Sequence, residues 1–525
     1  MIPDENVLHK LRVEINVVSA TKVLPAAPPS SSPDSRPPNA TTVGPGAEIA
    51  PVRYKPGKLN LFMLGITIVM GGQYADWNEG LHSGLYSFII AYFLIAIGYL
   101  LLCCCTAEIN GALPFSGGAY GLARCTLGFY PAFMIGCCDT TEYIVYTSAS
   151  VISLTELVLE AVPGLKPYQP LVWGLFYVVA LAIVIRGGRA FWVVNFTLGG
   201  LTLLFLAIYC FGSLPYVSFK LYATDPEMKF VAGFRGFMLG LPHAAWLFVG
   251  IEALSLDCDQ TDTPKKIIPV VQLFCIATAF VIGVMVLFVT VSLPPGLAVV
   301  ANTKVLFDLG FSLMFKIPYH YAAFLSLPAA FATAFGFMWA YGKLIAAMST
   351  SRLLLPFCAK TTARSNTPYN ALLFGSAWSY ALCLLVYVVP QVGESFTGVC
   401  MLSAAMSYSG QCVGYIALKR NYKNIKSSEF RSPFGIAGAF CSLLVWILMA
   451  ISLLTVHDDG GIDAMGFTIV VILFTVFLLL LRSQAPDFFS AGKQDHVSGS
   501  RDEIQHQEGG GQPAAPTPQA EQREQ

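Results

Sequence analysis

The sequence predicts an all-α, polytopic membrane protein with about twelve transmembrane helices. Of its 525 residues, 55% are hydrophobic and only 12% are charged, whereas charged residues make up about 25% of a soluble globular protein. The mean hydropathy is +0.62, and the apolar residues are gathered into runs near the ~20 residues that a bilayer-spanning helix needs. Two of these runs, five apart in order, are interrupted by glycine or by a carboxylate.

Twelve apolar runs define the predicted spans. They cover residues 59–78, 83–107, 131–158, 171–186, 190–214, 236–256, 269–293, 319–347, 369–389, 395–418, 434–456 and 464–481. The third run is long and the fourth is short, so we expect tilted helices there. The spans form one transmembrane domain, residues 59–482. We expect the flanking segments, residues 1–58 and 483–525, to be disordered tails, because they are polar and rich in Pro, Ser, Gln or Gly.

The distribution of basic residues predicts the orientation of the chain. With the N-terminus in the cytosol, the inner loops hold fourteen lysine and arginine residues and the outer loops hold six, namely Lys166, Lys220, Lys229, Arg235, Lys304 and Lys316. Cytoplasmic loops of membrane proteins carry such an excess of basic residues. We therefore expect both termini to be cytosolic in an integral, multi-pass protein of the plasma membrane.

Other classes of site find little support in the composition. The formal net charge is zero, so nothing indicates a nucleic-acid partner. Most of the fourteen cysteines lie inside apolar runs, where cysteine behaves as a small hydrophobic residue. The seven histidines are scattered and show no metal-ligand spacing. We expect no metal and no cofactor.

The first span contains the clearest interruption. It starts at residue 61 as an apolar helix and then reaches Gly71, Gly72, Gln73 and Tyr74. Non-helical backbone within a bilayer is tolerated only where it is buried in protein or faces water, and such breaks commonly line a substrate site. The simpler alternative is that the two glycines only let a neighbouring helix pack closely. We predict that the helix is unwound at residues 71–73.

The sixth span carries the second interruption. Gly250 is followed by Glu252, and an acidic residue within a span marks a functional site by default. Its distance of five spans from the first break is what two inverted five-helix repeats produce, with the site between them near the midplane. We therefore predict unwinding near residues 249–251, and we expect the two breaks to face each other across a central cavity.

Further polar groups lie in the first and third spans. Asp76 and Glu79 are interpreted as an outer, solvated helix end. Glu142 lies deeper in the third span, where it is either a site residue or a carboxylate hydrogen-bonded between helices. Asp139 is one helical turn away and can share its face. Rings that could attract an ammonium group, although each is more commonly a packing residue, are Tyr143, Tyr146, Trp246 and Phe248.

Three motifs resemble the amino acid/polyamine/organocation superfamily of permeases. The run TAEINGALPFSGGAYGLARCTLG, residues 106–128, is similar to that family's signature between its second and third helices; the matching residues are Glu108, Pro114, Gly117, Gly118, Tyr120 and Arg124. FVGIEALSLDCDQTDTPKKIIP, residues 248–269, resembles its broken sixth helix, and KLIAAMSTSRLLLPF with TPYNALL resembles its eighth-helix exit. Within the family, GGQYADWNEG and GCCDTTEYIVY look most similar to bacterial ethanolamine permeases.

The resemblance implies a five-plus-five inverted-repeat fold with two extra helices, working by alternating access. By analogy, Gly71 and Gly72 expose backbone donors, Phe248 gates the site from outside and Gly250 breaks the sixth helix. The chain departs from the family at Gln73, where many amino acid permeases have a second glycine. This leaves less room for a substrate carboxylate and puts selectivity for α-amino acids in doubt. The fifth span also lacks the lysine that some proton-coupled relatives carry.

These observations predict a secondary active transporter for small amino acids or amines such as ethanolamine, coupled to protons or working by exchange. Glu142, beside Tyr143 and Tyr146, is the expected counter-charge for the substrate ammonium. A carboxyl group removed from water binds a proton more readily, so Glu252 is the expected carrier of a coupling proton, with Glu142 as the other candidate. The expected partners are the small-molecule substrate, the lipid bilayer and that proton.

Three alternatives remain at the level of sequence. A membrane enzyme needs a nucleophile, a metal or an acid/base cluster at one interface, and the loops offer none. A membrane nutrient sensor that binds without transporting normally carries a large folded signalling domain, whereas these tails are short. A channel has no need for two half-helices at equivalent places. Flux of a labelled substrate separates the three.

Overall fold

The structure, a computed structural model, describes residues 54–362, 365–423, 425, 427–456 and 462–484. The predicted tails fall almost wholly outside these ranges. Within them the secondary structure is helical and contains no strand. The helices that correspond to the twelve predicted spans are α1 Lys58–Val69, α2 Leu85–Ala112, α3 Phe129–Ala161, α4 Gln169–Arg186, α5 Gly188–Gly212, α6 Gly233–Trp246, α7 Pro264–Val291, α8 Leu327–Thr350, α9 Tyr369–Val388, α10 Phe396–Asn421, α11 Gly435–Thr455 and α12 Ile462–Gln484.

The length and apolarity of these helices agree with a multi-pass membrane protein. Among the described residues, nine helices are long and apolar enough to cross a bilayer. Helix α3 is the longest, with 33 residues, and α4 has 18, as the lengths of their apolar runs predicted. Helix α1 falls short because its α-helical part has only 12 residues. The chain from α1 to Ile469 forms one compact unit, and the rest of α12 belongs to a second unit.

Helix pairing within the first unit follows the predicted inverted repeat. In an inverted repeat, α1–α5 correspond one by one to α6–α10. Exchanging the two repeats then maps each of the pairs α2–α7, α3–α8 and α4–α9 onto itself, and the two helices of each pair are in contact. The same exchange converts α2–α6 into α7–α1 and α3–α10 into α8–α5, and these pairs also pack together. Helix α11 follows the repeats and packs against α10 and α2.

Two faces of the helical bundle are distinguished below by their loops. The near face holds the start of α1 and the loops before α3, α5, α7, α9 and α11; the far face holds the loops before α2, α4, α6, α8 and α10. A short helix, Gly118–Thr126, lies on the near face between α2 and α3. Its counterpart on the far face is the segment between α7 and α8, which forms the short helices Leu297–Val300, Asp308–Phe315 and Tyr319–Ala322.

The acidic residue of the family signature has a structural role on the near face. Glu108 is buried near the end of α2, where it accepts hydrogen bonds from the Tyr415 hydroxyl at 2.6 Å and from Lys419 Nζ at 2.5 Å. The backbone N–H of Ser432, just before α11, also donates to this carboxylate at 3.1 Å. Glu108 therefore joins α2 to α10 and to the loop that leads into α11.

Candidate binding site at two interrupted helices

Helix α1 is interrupted where the sequence predicted. Its α-helical part ends at Val69, and the chain continues as a 3-10 turn, Met70–Gln73, in which the Tyr74 N–H donates to the Gly71 carbonyl at 2.9 Å. A second 3-10 segment, Trp77–Ser83, leads to α2. The interruption is longer than predicted, because regular α-helix does not resume before Leu85.

Helix α6 is interrupted at the equivalent place in the second repeat. It ends at Trp246, and a nine-residue 3-10 segment, Ile251–Asp259, follows. Gly250 lies between them with φ +92°, a left-handed conformation that side chains with a Cβ rarely adopt. A Cβ at Gly250 would also lie 2.5 Å from the Phe337 ring. The predicted break near residues 249–251 is confirmed.

The two breaks lie against each other. A Cβ on Gly72 would come within 2.2 Å of the Trp246 carbonyl oxygen, so only glycine allows this approach. Gln73 Nε2 donates to the Leu247 carbonyl at 3.1 Å and so supplies a partner that the broken α6 lacks. The expectation that the breaks face each other is confirmed, but they are in direct contact, and the open space lies beside them on the far-face side.

The direction of the two helical halves gives this centre its polarity. Helix α1 runs from the near face and α6 runs from the far face, and both end at the interruption. Both therefore point their C-terminal, carbonyl ends at the same region. The C-terminus of a helix carries about −0.5 of an elementary charge, so the meeting of two such ends favours a cation. The 3-10 segment Ile251–Asp259 also begins at the second break, and its N-terminal N–H groups act in the opposite sense there.

Three buried carboxylates lie close to the breaks. Glu142 is 0% exposed and accepts a hydrogen bond from the Tyr408 hydroxyl at 2.9 Å, and Glu252 accepts one from the Tyr143 hydroxyl at 3.1 Å. Their second oxygens, and Oδ1 of buried Asp139, have no partner among the described residues. No ion pair between described residues involves any of the three. They form a buried acidic centre that no basic side chain in the described part of the chain compensates.

A stack of rings lies next to the first break. The Trp246 and Tyr146 ring centroids are 4.2 Å apart, and Tyr146 stacks on Phe337 at 4.3 Å. The Tyr146 hydroxyl is buried, has no partner among the described residues and lies close to Gly72. Tyr146 thus has a ring on each of its faces, and Trp246 and Phe337 form the outer rings of the stack. An aromatic face attracts a cation, whereas it does not stabilise a carboxylate.

A pocket of about 550 Å³, including its part open to solvent, lies on the far-face side of the breaks. Of the ten predicted site residues it is lined by Gly71, Tyr74 and Tyr146. The other seven do not line it; they are Gly72, Gln73, Glu142, Tyr143, Phe248, Gly250 and Glu252. Asp76 also lines the pocket and is partly exposed at the start of the 3-10 segment Trp77–Ser83, so its interpretation as part of an outer, solvated helix end stays a prediction. Glu79 is exposed, as expected.

Two predicted site residues have contacts that differ from their expected roles. Phe248 is buried against Tyr92 and Tyr99 of α2, at centroid distances of 5.4 and 5.5 Å. The ring of α6 that lines the pocket is instead Trp246. Tyr74 donates from its hydroxyl to the Thr202 carbonyl of α5 at 3.1 Å, so it anchors the first break to α5 while it lines the pocket. The gating role of Phe248 stays a prediction.

The near face is closed below the second break by three contacts of acidic residues. Asp257 accepts a hydrogen bond from Trp339 Nε1 at 2.8 Å, and Asp259 pairs with Lys343 of α8 at 2.6 Å. Asp262 pairs with Lys55, before α1. These contacts tie the segment after α6 to α8 and to the start of α1.

Sequence reasoning missed several residues that the structure brings to this region. Tyr408 bonds Glu142 although 266 positions separate them, and Thr333 of α8 lines the pocket beside Gly71. Neither residue type is unusual within an apolar run, so no local signal identified them. The inverted repeat offered an indirect signal, because it places α8 opposite α3 and α10 next to α3.

A multi-pass helical protein with two interrupted helices that meet at a buried polar centre has the architecture that permease folds share. Residues 74–485 match the model of the amino acid permease family. The chain belongs to this family, which is part of the superfamily that its motifs resemble. The match covers nearly all of the described helices after α1.

Individual relatives are distant and transport different molecules by name. The chain is 25% identical over 419 residues to the S-adenosylmethionine permease GAP4 of Candida albicans, covering 74% of this chain and 66% of the relative. It is 23% identical over 402 residues to the methylthioribose transporter of Bacillus subtilis, covering 71% and 83%. A branched-chain amino acid permease of Bacillus subtilis, BcaP, is 25% identical over 255 residues, covering 45% and 53%. The chain thus spans just under two thirds of the first of these relatives.

Proposed function

We propose that this permease carries small primary amines, with ethanolamine as the preferred example, or small neutral amino acids. In this proposal the site recognises its substrate chiefly through the ammonium group. The permease works by alternating access of the two interrupted helices to the two sides of the membrane. Glutamate and bulky amino acids are poor substrates in this proposal. Transport is driven by protons or proceeds by exchange.

One observation carries this proposal: the carbonyl ends of α1 and α6 meet beside three carboxylates that no basic side chain of the described residues neutralises. A desolvated ammonium needs an opposite charge, a ring face or helix carbonyl ends to replace its hydration, and all three are available here. A desolvated carboxylate needs basic side chains or N–H groups. Lys343, a basic residue of α8, is already paired with Asp259 on the near face.

Glu142 is the proposed counter-charge for the ammonium, and Glu252 is the proposed carrier of the coupling proton. Each carboxylate has one oxygen held by a tyrosine hydroxyl and one without a partner. The free oxygen can accept a hydrogen bond from an ammonium or bind a proton. Glu252 follows the helix break directly, so a change in the geometry of the break would alter its surroundings.

The proposed orientation places the near face in the cytosol and the far-face pocket outside the cell, in the plasma membrane. The excess of basic residues in the near-face loops supports it. The proposed division of the chain, with tails at 1–58 and 483–525 and the transporter domain between them, follows the same pattern.

Competition against labelled ethanolamine uptake in proteoliposomes tests the proposal. Unlabelled ethanolamine should compete best, alanine less well, and glutamate hardly at all. Glu142→Gln keeps the size of the side chain but removes its charge, and should strongly weaken amine uptake. Glu227→Gln, an exposed acid on the far face, is the matched control and should behave as wild type. Strong inhibition by glutamate, or undiminished amine uptake by Glu142→Gln, would show that the ammonium is not recognised in this way.

A further inference from the structure

The far-face pocket contains charged groups that do not belong to the buried acidic centre at the two breaks. Its rim is formed by Glu156 at the end of α3 and Lys304 before α8, which pair at 3.3 Å with side chains 41% and 78% exposed. Gly71, Tyr146 and Trp246, which belong to or border the first break, form other parts of its wall. The pocket is therefore continuous with the breaks at one end and with solvent at the other.

Asp76 is the charged lining group of this pocket that has no ion-pair partner among the described residues. No ion pair or hydrogen bond between described residues takes its carboxylate, whereas Glu156 and Lys304 neutralise each other. The pocket thus holds two acids and one base, a formal charge of −1. Asp76 has φ +71°, a left-handed conformation that aspartate and asparagine tolerate better than most residues. The turn after the first break holds the carboxylate in the pocket wall.

Buried hydroxyl groups give the pocket a second kind of polar lining. Tyr146 is 2% exposed, Ser326 3% and Thr333 1%, and the side-chain oxygen of each has no partner among the described residues. All three line the pocket. Buried polar groups are normally hydrogen-bonded, so three unpartnered hydroxyls around one pocket indicate a surface shaped for a polar ligand.

We propose that this pocket is an entry site at which Asp76 binds the ammonium group of an incoming amine before it reaches the interrupted helices. Trp246, which lines the pocket and stacks on Tyr146 with one face, supports the cation with its other face, and the hydroxyls of Ser326 and Thr333 bond to the polar group at the other end of the amine. The inference rests on the proposed preference for amines and adds a second, earlier binding step to it. Because Glu156 pairs with Lys304 at the rim, the positive charge of Lys304 is offset there and a cation can pass it to reach Asp76.

Protection of an introduced cysteine tests the entry site. Ser153 lines the pocket, so a cysteine introduced by Ser153→Cys is labelled by a membrane-impermeant thiol reagent more slowly when the pocket is occupied. Labelling is measured for the peptide that contains position 153, which separates it from labelling of the native cysteines. The measurements are made in a Glu142→Gln background, which weakens binding at the buried acidic centre. Ethanolamine should still slow labelling there, and Asp76→Asn, which removes a charged hydrogen-bond acceptor, should raise the concentration for half protection about tenfold or more. Glu227→Gln removes the same charge from an exposed position elsewhere on the far face and should leave protection unchanged.

Uptake kinetics provide a second readout that does not need the cysteine. Asp76→Asn should raise KM for ethanolamine more than it lowers kcat, and Asp76→Glu should restore part of the loss. Asparagine suits the left-handed conformation at this position, so the variant keeps the turn.

Equal protection in the presence and absence of the Asp76 carboxylate would overturn the entry site, as would equal losses in Asp76→Asn and Glu227→Gln. Protection by alanine but not by ethanolamine would overturn it too, because the pocket would then recognise a carboxylate at Lys304. Wild-type uptake is measured in parallel. If ethanolamine is transported but protection ignores Asp76, only the entry site fails; if no amine is transported, the proposed function fails.

Discussion

At the scale of single residues, Gly72 is the position at which the two repeats touch. A Cβ there would meet the backbone oxygen of Trp246 at 2.2 Å, and this atom cannot move without shifting the end of α6. Glycine at this position is therefore a condition for the contact between the two breaks.

Gly72→Ala should fold and insert but lose at least tenfold in uptake rate, because a displacement of about 1 Å at such a site can cost ~100-fold. Gly200→Ala is the matched control, since a Cβ at Gly200 meets nothing within 4 Å. Uptake per amount of reconstituted protein is the measurement. Wild-type uptake by Gly72→Ala would show that the approach of the two breaks is not needed for transport.

Glu252→Gln tests the proposed coupling proton. It removes the proton-binding group while keeping the hydrogen bond that the Tyr143 hydroxyl donates at 3.1 Å. Substrate exchange should persist, but uptake should lose its dependence on pH and on an imposed proton gradient. Glu79→Gln, on the exposed far-face loop, is the control. If uptake by Glu252→Gln depended on pH and on the proton gradient as strongly as wild-type uptake does, Glu252 would not be the carrier of the coupling proton.

At the scale of elements, the near face is held shut by the segment that follows α6. Lys343 is only 8% exposed and its partner Asp259 is 36% exposed, so the pair joins α8 to a segment that must move if the near face opens. Cys258 precedes Asp259 and is buried and free, which makes it a native reporter of that movement.

Lys343→Met should speed the labelling of Cys258 by a polar thiol reagent, since the loss of the ion pair releases the segment. Combining Lys343→Asp with Asp259→Lys should slow labelling again. Lys266→Met is the control, because Lys266 is 64% exposed and its pairing with Glu429 is long, at 3.8 Å. An unchanged labelling rate in Lys343→Met would mean that the pair does not hold the near face closed.

The short helix Asp308–Phe315 on the far face gives a prediction for stability against pH. Burial, with the negative charge of Glu160 added, raises the pKa of Asp308 to about 7 from 3.8, although the Leu309 N–H stabilises the carboxylate. The folded chain therefore keeps a proton that the unfolded chain releases between about pH 4 and pH 7, and stability falls as the pH rises through this window.

Asp308→Asn should remove this loss of stability at the higher pH. Its thermal unfolding temperature in detergent should match wild type near about pH 4 and exceed it near about pH 8. Glu227→Gln, an exposed acid on the same face, should track wild type throughout. A difference between Asp308→Asn and wild type that stayed constant with pH would contradict the assignment.

At the scale of the whole molecule, the sequence was informative wherever a signal was local. Apolar runs of spanning length predicted the helices, and Gly71 with Gly72 and Gly250 with Glu252 predicted both breaks, because a carboxylate is costly inside a bilayer-spanning helix and glycine readily adopts non-helical backbone conformations. The inverted repeat followed from the spacing of these breaks.

The contacts within the site needed the structure, since they join residues far apart in the chain. The bond from Tyr408 to Glu142 and the placement of Asp76 in the pocket depend on tertiary packing and on a left-handed turn. Phe248 shows the same limit, because it lies only two positions after Trp246 in the chain, yet it packs against α2 while Trp246 lines the pocket.

The central claim is that the two interrupted helices form an ammonium-recognising site that is exposed alternately to the two sides of the membrane. Flux of labelled ethanolamine into proteoliposomes, with and without unlabelled ethanolamine inside, tests it most directly. We predict saturable uptake that internal ethanolamine accelerates. Binding without flux would indicate a sensor, and flux that neither saturates nor responds to internal substrate would indicate a channel; either result would contradict the account.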